Sequence, residues 1–136
     1  RNAEFVRYGV MHRNTFLDSP RLLDATYALK AEPRIRFAGQ MTGVEGYIES
    51  TASGWVAGVA AAMDTLGKPM PQLDRFTAVG ALASYISDHT VTKFQPMNIN
   101  FGIIEPLGCK IKGKREKNAK ISERALERIE SLKGEL

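Results

Sequence analysis

The sequence predicts an α/β unit in which short strands, including a hairpin, are followed by helices. Two patterns carry that prediction. Between residues 26 and 38 apolar and polar residues alternate, with Tyr27 and Leu29 and then Ile35 and Phe37 on the apolar side, which is the period of a strand. From Thr42 to Leu66, the residues Ile48, Ala52, Trp55, Val56, Val59, Met63 and Leu66 recur at steps of three and four, the period of an amphipathic helix. A chain of 136 residues, 43% of them hydrophobic, can bury one core and is too apolar to be disordered.

Residues 1–11 read as extended, because Phe5, Val6, Tyr8, Val10 and Met11 favour a strand. Ser19-Pro20 then opens a short helical turn over residues 21–24, with Ser19 as cap and Pro20 at the first helical position. Residues 26–30 and 34–38 form the hairpin, with Pro33 in its turn. Thr42-Gly43-Val44-Glu45 fits a capping box at the start of the long helix. Gly54 and Gly58 inside that helix each cost about 1 kcal/mol relative to alanine, which packing against a neighbour or a planar ligand would offset. Gly67 ends it, with Pro69 and Pro71 beyond. A second helix over residues 74–87 buries Phe76, Val79, Leu82, Ala83 and Ile86. Residues 91–106 are irregular, and Ile121, Ala125, Ile129 and Leu132 mark a last helix ending near Lys133-Gly134.

The charge is concentrated. Lys110, Lys112, Lys114, Arg115, Lys117 and Lys120 against Glu116 give +5 over residues 110–120, leaving the other 125 residues at −1 within a total of +4. Such a patch neutralises phosphates, or is a solvated helix start. A single cysteine, Cys109, excludes an internal disulfide framework and a Cys-rich zinc site, and no metal site is expected; a reducing, cytoplasmic setting is the default. No apolar run approaches the roughly 20 residues of a membrane-spanning helix. The chain opens on Arg1 rather than methionine, which fits a segment of something longer.

The densest chemistry lies where the hairpin meets the long helix. Gly39, Gly43 and Gly46 surround a helix start directly after a strand, a place where free backbone N–H groups and the helix dipole favour an anionic or acceptor group. The spacing is not the dinucleotide fingerprint Gly-x-Gly-x-x-Gly, so a structural tight turn explains it equally well.

The run Gly39-Gln40-Met41-Thr42-Gly43-Val44-Glu45-Gly46-Tyr47, followed by Ile48-Glu49-Ser50, resembles the FAD- and folate-dependent tRNA uracil-5-methyltransferase family (TrmFO, formerly Gid). Residues 8–16 with His12-Arg13-Asn14-Thr15, then Ser19-Pro20-Arg21-Leu22-Leu23-Asp24, and Pro96-Met97-Asn98-Ile99-Asn100-Phe101-Gly102 carry the same resemblance in the same order. The related wobble-uridine modification flavoprotein, of the glucose-inhibited division protein A family, has a similar glycine junction without this combination of blocks and stands as the alternative. A non-catalytic RNA-binding module centred on the basic patch is a further one.

The resemblance implies the C-terminal portion of a glutathione-reductase-like, Rossmann-type FAD-binding domain. Residues 1–66 would close the FAD site, and residues 67–136 would form a helical part with the basic patch. The parent activity would take a methylene group from methylenetetrahydrofolate, attach it to C5 of the T-loop uridine of tRNA and reduce it to a methyl through FAD, with NAD(P)H as reductant. Gly39, Gln40, Gly43, Glu45, Gly46 and Tyr47 become cofactor-side residues by this likeness, Glu45 being explained equally by its cap. His12, Arg13, Asn14 and Thr15 would face the substrate or folate side, and Lys110, Lys112, Lys114, Arg115, Lys117 and Lys120 the tRNA. No catalytic residue falls in this chain, and it is expected to be inactive alone. Its partners would be tRNA and the remainder of the FAD domain, with no membrane and with a homodimer of the segment through an unpaired strand edge.

Overall fold

The computed structural model describes residues 15–134, so the strand expected over residues 1–11, and His12, Arg13 and Asn14, lie outside the described residues. A four-residue helix α1 (Ser19–Leu22) precedes a two-stranded antiparallel sheet, β1 (Ala28–Leu29) and β2 (Glu32–Arg36). A 3-10 turn (Gly39–Thr42) leads into helix α2 (Tyr47–Thr65), followed by α3 (Ala78–Ser87) and α4 (Lys114–Leu132). This is a mixed fold, mostly helical, with a small sheet.

Ser19 does not cap α1. Its hydroxyl is buried and donates to the Thr42 carbonyl at 2.8 Å, tying α1 to the 3-10 turn, while Asp18 occupies the cap position. The hairpin is real but its turn moves. Ala28 pairs with Arg36 and Leu29 with Glu32, so Lys30-Ala31 turn the chain and Pro33 sits inside β2. A two-stranded sheet has only edges, where a residue lacking an N–H is tolerated. The strand starts late because the Asp24 carboxylate accepts the Thr26 N–H at 2.7 Å and the Ala28 N–H at 3.0 Å. That loop holds Tyr27 in the left-handed region, at φ 61°.

The expected capping box does not form. Thr42 Oγ1 donates to the Gly39 carbonyl, and the Glu45 N–H that the box requires goes to the Met97 carbonyl at 3.0 Å. With Met97 N–H donating to the Gly43 carbonyl, this makes a parallel bridge between Val44 and Met97. The long helix therefore starts at Tyr47 with Gly46 as its cap. Its buried face is Ser53, Val56, Ala57, Ala60 and Met63. Ile48 is 81% exposed, Trp55 46% and Leu66 66%, so much of the expected stripe faces outward. A Cβ added at Gly54 or Gly58 would meet no atom of another element within 4 Å among the described residues.

Helix α3 begins at Ala78 rather than Asp74, because Thr77 Oγ1 accepts the Gly80 N–H at 3.0 Å and caps it there. Phe76 stays outside the core, with the Arg124 guanidinium 4.5 Å from its ring centre. Leu23, Tyr27, Val44, Val56, Ala57, Leu82, Ala83, Ile86 and Phe94 form the core that sets α2 and α3 around the glycine junction. Helix α4 buries Ile121 and Leu132 and is held by Arg128, whose Nε lies 2.6 Å from Asp74 Oδ2. Among the described residues no helix is long and apolar enough to cross a membrane.

Candidate functional site

The chain leaves β2 and passes through a 3-10 turn and three glycines of positive φ in eight residues. Gly39, Gly43 and Gly46 take φ of 70°, 85° and 94°; at Gly43, in the left-handed region, a Cβ costs roughly 1–2 kcal/mol, and the backbone of Gly46, with ψ of 147°, is nearly restricted to glycine. Gly39 donates its N–H to Ser53 Oγ at 2.7 Å, and Ser53 Oγ donates to the Ser50 carbonyl, which pins the turn to the flank of α2. Gly43 is buried, and a Cβ there would fall on the Phe94 ring. A Cβ on Gly46 would fall on Glu49 Oε2 and lie 2.7 Å from Asn98 Nδ2. The two stretches 43–46 and 97–99 are thus pressed together across backbone that only glycine permits.

Beside this junction lies an open recess of about 350 Å³, lined by Gln40, Gly46, Tyr47 and Ser50. It opens at the start of α2, where no side chain caps the helix and the first-turn N–H groups carry the positive end of the dipole. Tyr47, 95% exposed, stands at its rim. The recess offers hydrogen-bond donors, a hydroxyl and a carboxamide, and among the described residues no carboxylate, imidazole or thiol lines it. Such a surface suits the edge of a flat ligand rich in acceptors.

The residues singled out in the sequence divide accordingly. Gln40, Gly46 and Tyr47 share the recess. Gly39 shapes the turn, Gly43 packs inward against Phe94, and the Glu45 backbone belongs to the Met97 bridge. Thr15 is exposed, two residues before Leu17, whose N–H donates to the Met41 carbonyl at 2.8 Å. Trp55 lines a separate apolar cleft of about 160 Å³ with Met70, Leu73, Ile129 and Leu132. Ser50 is the residue that sequence reasoning missed: four places after Gly46, it lies one helical turn along the same face. Asn100 serves the local backbone, its Oδ1 accepting the Gly102 N–H at 2.9 Å.

The basic residues form a second feature. Lys110 and Lys112 lie in the segment before α4, and Lys114, Arg115, Lys117 and Lys120 on its first two turns, all exposed. Cations at a helix N-terminus oppose the dipole, so their gathering there does not stabilise α4. Cys109 beside them is exposed. Elsewhere on the surface, hydrogen bonds from the Thr90 hydroxyl and N–H, with smaller charge contributions from His89 and Arg75, hold the Asp88 carboxyl below its ordinary range.

Residues 1–69 match the model of the family described as Glucose inhibited division protein A. Three curated relatives share the name methylenetetrahydrofolate–tRNA-(uracil-5-)-methyltransferase TrmFO. The chain is 62% identical to that of Acetivibrio thermocellus over 92% of its length and 29% of the relative's. It is 54% identical to that of Desulfitobacterium hafniense over 97% of its length and 30% of the relative's. For Bacillus licheniformis the figures are 55%, 96% and 30%. The chain therefore spans about three-tenths of the length of the curated relatives it matches.

Proposed function

On the premise that the chain belongs to the Glucose inhibited division protein A family, we propose that it is the C-terminal portion of a tRNA-(uracil-5-)-methyltransferase that uses methylenetetrahydrofolate and FAD. The relatives favour this over the wobble-uridine alternative, because their identity continues through the chain beyond residue 69. One structural observation carries the reading. The bridge between Val44 and Met97 joins two sequence blocks some fifty residues apart beside the recess, where α2 presents uncapped N–H groups.

The residues fit an isoalloxazine edge. Gly46 lines the recess with bare backbone, the start of α2 favours negative charge on the pyrimidine side of a ring, and Gln40 and Ser50 bring polar side chains to it. FAD, when bound, supplies the electrons that reduce a methylene to a methyl, with NAD(P)H as their source. Gly39 and Gly43 act through the turn they permit, not through contact. Nothing in this chain resembles a pyrophosphate-binding glycine fingerprint, so the rest of the cofactor needs the remainder of the domain. The exposed outer face of α2, with Tyr47, Ile48 and Trp55, is where that remainder packs. Lys110, Lys112, Lys114, Arg115, Lys117 and Lys120 contact tRNA phosphates.

The test is transfer of labelled methylene from methylenetetrahydrofolate to C5 of the T-loop uridine by the full-length protein that contains this segment. Incorporation that depends on flavin is expected, with none from the 136-residue chain alone. A full-length protein that leaves the T-loop uridine unmodified and instead modifies a wobble uridine would overturn the assignment.

A further inference from the structure

We propose that Glu49 is a positioning residue that also sets the charge of this recess, an inference resting on the flavin reading above. Glu49 is the third residue of α2 and is half-buried. Its Oε1 accepts the Ile99 N–H at 3.4 Å, fifty positions along the chain, and its Oε2 lies where a Gly46 Cβ would be, beside Asn98 Nδ2. The carboxylate therefore folds back over the helix start instead of reaching into solvent.

Two consequences follow from that placement. The Val44–Met97 bridge fixes only residues 43–45 against Met97, and the Glu49 bond extends the tie to Ile99. The segment that backs Gly46 is thereby held at two points. The carboxylate also places a full negative charge in the first turn of α2, where the dipole contributes about half a positive charge. Glu49 lies between two recess residues, Gly46 and Ser50, so it cancels much of the positive potential at that wall. A bound group that gains negative charge on reduction is less stabilised with Glu49 present than without it.

Glu49→Gln in the full-length protein separates the two roles. It keeps the shape and an oxygen that accepts the Ile99 N–H, while removing the charge. The expected result is unchanged flavin content and a preference for reduced over oxidised flavin raised by up to about tenfold, a positive shift in midpoint potential of up to about 30 mV. Glu49→Ala also breaks the tie, and exchange of the Ile99 amide hydrogen should accelerate by about tenfold or more. Flavin-loaded Glu49→Gln with the wild-type potential would overturn the charge role. Unchanged Ile99 exchange in Glu49→Ala would overturn the positioning role. A wild-type protein that holds no flavin would sink the underlying reading and the charge role with it, while amide exchange still decides the tie.

Discussion

Replacing Gly43 with alanine sets a methyl group against an aromatic ring that has little room to move. Gly43 has φ of 85°, and its added Cβ would fall on the end of the Phe94 ring, with the next ring carbon 2.7 Å away. Phe94 is only 9% exposed, stands edge-on to Phe16 at 6.1 Å between centroids and packs on Tyr85 at 5.6 Å. The left-handed backbone costs roughly 1–2 kcal/mol once a Cβ is present. Overpacking against the ring adds about 1–3 kcal/mol. The expected loss is about 2–5 kcal/mol, a large part of the roughly 5–15 kcal/mol that holds a domain folded. Urea unfolding of the chain measures it. Phe94→Leu in the same background should recover the steric part and leave the backbone part, giving a coupling of about 1 kcal/mol or more in a double-mutant cycle. A loss below about 1 kcal/mol, or strictly additive variants, would refute the close-packing argument.

Three further outcomes are expected. Alanine at Lys112, Lys114, Arg115 and Lys117 together should weaken tRNA binding and flatten its dependence on log salt by up to about 3–4 units, on the order of one unit for each phosphate no longer neutralised; an unchanged slope removes the patch from the interface. Burial holds the Tyr27 phenol neutral, well above its ordinary range. Its contribution to stability is therefore complete below about pH 10 and falls as pH rises towards the raised folded value. Tyr27→Phe should flatten that alkaline loss in denaturation midpoints taken from pH 8 to 11, and an equal slope in both proteins would argue against it. With Ile35 exposed on β2 and Tyr47, Ile48 and Trp55 exposed on α2, the isolated chain should associate as its concentration rises in sedimentation runs. A monodisperse monomer at high concentration is the contrary result.

The features legible in the sequence are those fixed by near neighbours. The hairpin, the three long helices and the Gly67 stop follow from alternation, three-four spacing and a left-handed C-terminal glycine at φ 67°. What misled were residues with competing partners far along the chain. Thr42 and Glu45 have the right spacing for a capping box, yet the Glu45 amide is taken by Met97 and Ser19 by the Thr42 carbonyl. Ile48 and Trp55 look like core by period, and the structure buries Ser53, Ala57 and Ala60 instead, because small residues let α2 approach the 3-10 turn. The candidate site was half legible. Glycines at positive φ mark the junction, but which of them line a recess and which pack inward depends on Phe94 and Asn98, some fifty residues away.

Gly46 connects the junction to the proposed flavin site. The measurement is flavin affinity of the full-length protein and of its Gly46→Ala variant, read from absorbance and titration, with circular dichroism to confirm that both are folded. An alanine Cβ would push Glu49 and Asn98 away from Gly46, one of the residues that line the recess. The expected result is stoichiometric flavin in the wild type and an affinity lowered about tenfold or more in the variant, equivalent to at least about 1.4 kcal/mol. A flavin-free wild type, or equal affinity in a folded Gly46→Ala protein, would contradict the assignment of this junction to the cofactor.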